Sequence, residues 1–95
     1  MSLNILPTLE ALAALAAAEP VTAALVGYRG NVISEVTGTW NDHRKQFDFP
    51  EVTNTSQETS SRWVFRAGKQ EVAYAYNHPL LPGDTLRGLS LSLGG

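Results

Sequence analysis

The stretch Arg62-Trp63-Val64-Phe65-Arg66 alternates between two kinds of side chain, and this alternation decides the fold. Successive side chains of a β-strand point to opposite faces of a sheet, so Trp63 and Phe65 share one face and the two arginines share the other. The pattern predicts a strand whose aromatic face fills a core and whose arginine face meets solvent or a partner. Sheets that bind single-stranded nucleic acid also combine basic and aromatic residues, but their aromatic rings are exposed for base stacking.

The same period of two recurs elsewhere in the chain. Turn residues separate the alternating segments, for example Asn41-Asp42 and Pro82-Gly83-Asp84. The chain is therefore predicted to be mostly β, a small barrel or sandwich of five to six short antiparallel strands in the region 21–93. The predicted strands include 31–40, 46–49, 71–77 and 89–93, and the predicted core comprises Val36, Trp40, Phe47, Phe49, Trp63 and Phe65.

One α-helix is predicted before the strands, over residues 8–19. Apolar side chains recur there every three to four residues, and Pro20 ends the pattern. Small alanines such as Ala13 and Ala17 occupy the other face, which could lie flat on a sheet or a neighbouring subunit. No Lys or Arg precedes the apolar stretch, and the stretch is too short to span a bilayer, so we interpret it as a helix of the mature protein.

Length and composition indicate the class of protein. The chain has 95 residues, enough for one domain (1–95). Its hydrophobic content of 43% and charged content of 17% are typical of globular proteins. A net charge of −2 argues against sequence-specific nucleic-acid binding, and the absence of cysteine excludes disulfides.

No residue pattern indicates catalysis or cofactor binding. The only histidines are His43 and His78, both in predicted turns, whereas a zinc site usually needs three or four ligands. The motifs of nucleophilic serine hydrolases and of phosphate-binding loops are missing. We therefore expect no catalytic, metal or cofactor-binding residues and no enzyme activity. Contact with other proteins is the predicted mode of action.

Residues 51–61 form the longest polar run of the chain. The run contains one apolar residue and neither Gly nor Pro, which predicts a mobile loop or an extended hairpin arm that becomes ordered against a partner. The centre of this predicted mobile loop comprises Thr53, Asn54, Thr55, Ser56 and Gln57.

Two strings of residues resemble a known family. The strand 63–67, Trp-Val-Phe-Arg-Ala, and the segment 80–86, Leu-Leu-Pro-Gly-Asp-Thr-Leu, are similar to the small head–tail joining (stopper or connector) proteins of long-tailed bacteriophages. The pattern covers about two-thirds of the chain, but only about a dozen residues match specifically. The link 67–79 is longer than in that family, and the Y-x-V strand that commonly follows the glycine–aspartate turn there is not seen in residues 87–95.

The resemblance implies a structural virion subunit, assembled in the host cytoplasm. Several copies would form a homo-oligomeric ring between the portal or adaptor and the tail, with no cofactor and no membrane contact. From the residues themselves, the candidate ring contact is Arg62 and Arg66 with the alanine face of the helix, and acids of a neighbour such as Glu35 or Glu71 would pair with the arginines. The alternative is a small phage-encoded or regulatory inhibitor that binds a host protein.

Overall fold

The computed structural model describes residues 3–5, 20–76 and 78–92, and within these ranges the chain is mostly β. The helix predicted over 8–19, with Ala13 and Ala17, lies outside the described residues. Ten strands are described. They are β1 Leu3–Ile5, β2 Val21–Val26, β3 Val32–Thr37, β4 Thr39–Asn41, β5 Gln46–Asp48, β6 Val52–Thr53, β7 Arg62–Ala67, β8 Gln70–Ala75, β9 Thr85–Leu86 and β10 Leu89–Ser92.

The strands form two four-stranded sheets and a short ribbon. Sheet A has the order β1-β10-β5-β4, sheet B has the order β3-β2-β7-β8, and β6 pairs with β9. Every pairing is antiparallel except that of β1 with β10, which is parallel. The expectation of five to six antiparallel strands is therefore too low and misses the parallel pair, and the described sheets do not close into a barrel. Strands of two residues, such as β6 and β9, are too short to produce a visible alternation.

A corner at Gly38 explains one of these errors. The single strand predicted over 31–40 is in fact β3 in sheet B followed by β4 in sheet A. The Gly38 amide donates a hydrogen bond to the Val21 carbonyl oxygen at 2.8 Å. A Cβ atom at position 38 would lie 2.8 Å from Cε1 of Phe49, so a side chain there would force the ring to move. The chain thus passes from one sheet to the other where a glycine lets the backbone approach Phe49.

The core lies between the two sheets, and its largest side chains come from β7. Trp63 and Phe65 are fully buried, as the alternation predicts. The Phe65 ring meets the Phe49 ring edge to face, with centroids 5.6 Å apart. The indole Nε1 of Trp63 donates a hydrogen bond to the His78 carbonyl oxygen at 2.9 Å, so the polar atom of this buried side chain has a partner. Burial of these three rings is confirmed.

The rest of the predicted core is less buried. Val36 and Phe47 are half-buried and pack against the core cluster. Trp40 is 40% exposed, so its predicted burial is wrong. The reason is position: Trp40 lies on β4, an edge strand of sheet A, where it covers Phe47 with ring centroids 5.0 Å apart but has no further strand beside it.

The polar segment 51–61 contains a buried side chain, Asn54, which is fully inaccessible to solvent. Its Nδ2 donates to the carbonyl oxygens of Glu58 (2.8 Å) and Leu80 (2.9 Å), and its Oδ1 accepts from the Ser56 amide (2.9 Å) and hydroxyl (2.6 Å). Ser60 is also buried, and its hydroxyl accepts from the Leu80 amide at 2.8 Å. Hydrogen bonds therefore hold the segment together and attach it to Leu80.

Backbone bonds attach the same segment to the turn that precedes β9. The Asn54 amide donates to the Asp84 carbonyl oxygen at 2.9 Å, and the Gly83 amide donates to the Asn54 carbonyl oxygen at 2.8 Å. The predicted mobility of residues 53–57 rested on their lack of apolar side chains. The structure adds hydrogen bonds that this premise did not include, because satisfied polar groups hold the segment where apolar burial is missing. The mobility of residues 53–57 stays a prediction.

Candidate interaction surface

The outer face of sheet B is the side that points away from the shared core. Strand β7 places Arg62, Val64 and Arg66 on this face, as its alternation predicts. The register aligns Val64 with Ala24 of β2 on one side and with Tyr74 of β8 on the other. A row of side chains therefore crosses the sheet from edge to edge. Arg62 and Arg66 lie on the same face, two residues before and two residues after Val64 along β7.

The centre of the outer face is apolar and buried. Ala24, Val26 and Val64 form a cluster separate from the main core, and each is at most 4% exposed. Around this cluster lie longer polar and aromatic side chains. Because this centre is already buried within the single chain, the surrounding side chains are the accessible part of the face.

The Glu71 carboxylate contacts two side chains at one edge of the outer face. Glu71 Oε2 lies 3.6 Å from Arg66 Nη2, and Glu71 Oε1 accepts a hydrogen bond from the Tyr74 hydroxyl at 2.9 Å. The hydrogen bond to Glu71 raises the pKa of Tyr74, with a smaller contribution from burial. The sequence predicted Glu71 as a partner for an arginine of a neighbouring subunit, whereas the structure pairs it with Arg66 of its own chain. Both side chains are about 40% exposed, so the pair contributes less than about 1 kcal/mol to stability.

Two exposed tyrosines complete the surface. The rings of Tyr74 and Tyr76 stack with centroids 6.2 Å apart and planes inclined by 21°, and they are 42% and 63% exposed. Alternation alone groups them with Val72 and favours packing for at least one tyrosine. A register shift between Phe65 and Arg66 inserts Val72 as an extra residue, so that Val72 is buried while the tyrosines point outward. Nothing in the local sequence marks this bulge.

A second feature, a cavity of about 280 Å³, lies beside sheet A. Its lining includes Arg44, Gln46, Asp48 and Ser90. Hydrogen bonds from Asn41 (2.9 Å) and then from Gln46 lower the pKa of Asp48, which keeps this carboxylate charged and makes it a weak proton acceptor at neutral pH. The bond from Asn41 joins β4 to β5, whereas the bond from Gln46 lies within β5.

The sequence predicts neither metal ligands nor a membrane-spanning segment, and the structure describes residues 3–5, 20–76 and 78–92. There, no three His, Cys, Asp or Glu side chains converge on one point. His43 lies exposed in the turn between β4 and β5. The described residues also contain no helix that is long and apolar enough to cross a membrane.

The outer face of sheet B therefore brings together Arg62 and Arg66, which the sequence indicated, with Tyr74, Tyr76 and Glu71. Residues 53–57 lie in the polar segment 51–61 and are not part of this surface. Comparison with models of protein families, with curated proteins and with solved structures found no match to the chain. The likeness to phage head–tail joining proteins accordingly rests on the sequence strings at 63–67 and 80–86.

Proposed function

We propose that this chain is a non-enzymatic structural or assembly protein that works through contacts with other proteins. The observation that carries the proposal is the stacked pair Tyr74–Tyr76, largely exposed beside Arg62 and Arg66 on the outer face of sheet B. Tyrosine and arginine are enriched at protein interfaces, where their large side chains bury much area and also form hydrogen bonds. An exposed stacked pair gives the isolated chain little stability, which favours a role in binding.

The specific assembly that we propose is a homo-oligomeric ring at the head–tail junction of a phage, between the portal or adaptor and the tail. The sequence resemblance supports this setting. A ring needs two different patches on each subunit, because each copy contacts its neighbours head to tail. The outer face with Arg62 and Arg66 is one patch, and the proposal retains the expected helix 8–19, with Ala13 and Ala17, as part of the same contact.

The proposal is tested by deleting the gene and imaging the particles that its host strain produces. The expected result is an accumulation of heads separated from tails, with intact tailed particles restored when the wild-type gene is supplied in trans. Normal, infectious particles without the gene would contradict the structural role. In that case the inhibitor hypothesis would replace it, and the protein should instead copurify with one host protein in a defined ratio.

A further inference from the structure

Sheet B has two edges, and the strands at these edges run in opposite directions. Its four strands pair antiparallel throughout, in the order β3-β2-β7-β8. β6 approaches β3 and β1 approaches β8, but each pairs with a different strand. Within the described residues, neither outer edge has a paired neighbour. Because the number of strands is even, a second copy placed beside the first in the same orientation would meet it with an antiparallel pairing.

The backbone of β3 presents hydrogen-bonding groups to its open edge. The Gly38 amide bonds to the Val21 carbonyl oxygen, which fixes the alternation of bonded and non-bonded pairs between β2 and β3. By that alternation, Val36 bonds toward β2, while Glu35 and Thr37 direct their N–H and C=O groups outward. Both residues are exposed.

The backbone of β8 is arranged in the same way at the opposite edge. The Gly68 amide bonds to the Pro20 carbonyl oxygen, so Arg66 and Val64 of β7 bond toward β2. Phe65 of β7 therefore bonds toward β8, through its partner Ala73. It follows that Tyr74 directs its N–H and C=O groups to the open edge.

The side chains at the two edges suit one another. Both antiparallel registers that match the outward groups place Tyr74 opposite Glu35 or Thr37 of the next copy. Aromatic and β-branched side chains form favourable cross-strand pairs. Glu35 would then lie on the side of the junction where the neighbouring copy carries Arg62 and Arg66, which gives opposite charges at the contact. Neither β3 nor β8 contains a proline that would block strand addition.

We propose that β8 of one copy pairs with β3 of a second copy, so that sheet B continues from subunit to subunit. The inference rests on the proposed ring function and adds to the contact at Arg62 and Arg66 a main-chain junction, with the outer face of each sheet on the same side, so that Glu35 of one copy lies beside the arginines of the next. The occupant of each edge is another copy of this chain.

The test uses engineered cysteines, since the chain has none of its own. Two double variants are prepared, Tyr74→Cys with Glu35→Cys and Tyr74→Cys with Thr37→Cys, all at exposed positions. Within one subunit the edge strands are about 14 Å apart, too far for a disulfide, whereas bonded partners across a new junction are about 5.5 Å apart. Under mild oxidation at high protein concentration, one double variant should form a ladder of dimers, trimers and larger species that a reductant abolishes.

The matched control is Tyr28→Cys with Glu35→Cys, because Tyr28 is more exposed than Tyr74 but lies in the β2–β3 turn. This control should give no ladder. Folded double variants that stay monomeric would overturn the proposal. So would dimers formed equally well by Glu35→Cys alone, since these indicate a symmetric β3–β3 contact. A ladder together with normal particles in the deletion strain would refute the ring at the head–tail junction but retain the edge pairing. Loss of particles in the deletion strain with no ladder would refute the edge pairing but retain the ring.

Discussion

Trp63 on strand β7 and Asn54 in the polar segment 51–61 are buried to the same degree but are held by different forces. Trp63 and Asn54 are both fully inaccessible to solvent. Trp63 is packed among apolar side chains and makes one hydrogen bond, whereas Asn54 uses both ends of its side chain in four hydrogen bonds. The comparison shows that burial by apolar packing is visible in a sequence as periodicity. Burial by mutual satisfaction of polar groups has no such periodicity, because it depends on carbonyl oxygens that come from distant parts of the chain.

The largest expected effect is that of Trp63→Ala. Removing a fully buried indole leaves a cavity and an unpaired His78 carbonyl oxygen, so we expect a loss of about 3–5 kcal/mol in the free energy of unfolding. Trp40→Ala is the matched control; it removes the same side chain from a half-exposed edge position and should cost about 1 kcal/mol. Denaturant unfolding of the two variants measures the difference. Equal losses would contradict the assignment of faces on β7.

The next effect is that of Asn54→Ala, which we expect to cost about 2–3 kcal/mol because buried carbonyl oxygens lose their donors. Asn54→Asp sharpens the test: it retains the shape but turns a charged oxygen toward the carbonyl oxygens of Glu58 and Leu80, so it should be at least as destabilising at neutral pH. Thr55→Ala, at an exposed neighbouring position, is the control and should be nearly neutral. Amide exchange of Ser56 and Ser60 provides a second readout. Fast exchange in the wild-type protein would favour the mobile loop predicted from the sequence.

The smallest effect concerns the pH dependence of the β4–β5 hairpin. Hydrogen bonds from Asn41 and Gln46 lower the pKa of Asp48 in the folded state. A lowered pKa means that the stabilisation is fully present above the unfolded-state value of about 3.9 and is lost as the pH falls through the lower, folded-state value. Asp48→Asn should therefore flatten the acid limb of the stability curve. An NMR titration that shows Asp48 with the pKa of an unfolded chain would contradict this explanation.

The sequence predicted the β class and the two faces of β7 correctly because these depend on local alternation. It failed at Gly38, where the reason for the corner is a contact with Phe49, a residue distant along the chain. At β10, Ser90 and Ser92 alternate with leucines, and both serines are nevertheless buried. The position of a strand within the sheet decides whether its polar side chains are buried, and the periodicity of the sequence alone does not predict this.

The two arginines of the candidate surface could be predicted from local alternation, whereas the two tyrosines could not. Arg62 and Arg66 point outward because they alternate with residues of the core. Tyr74 and Tyr76 were not assigned to the same surface, because the bulge that inserts Val72 changes the alternation of β8 relative to β7. The pairing of Arg66 with Glu71 of the same chain depends on that bulge as well, since it aligns the two residues across the strands.

The most direct test of the interaction surface is a double charge reversal, Arg62→Glu with Arg66→Glu, supplied in trans to the deletion strain. Both side chains lie partly exposed on the outer face, so the purified variant should remain folded with a melting temperature close to that of the wild type. The count of intact tailed particles should nevertheless fall to that of the deletion strain. A folded double variant that restores a wild-type number of infectious particles would contradict the assignment of this face as the assembly contact.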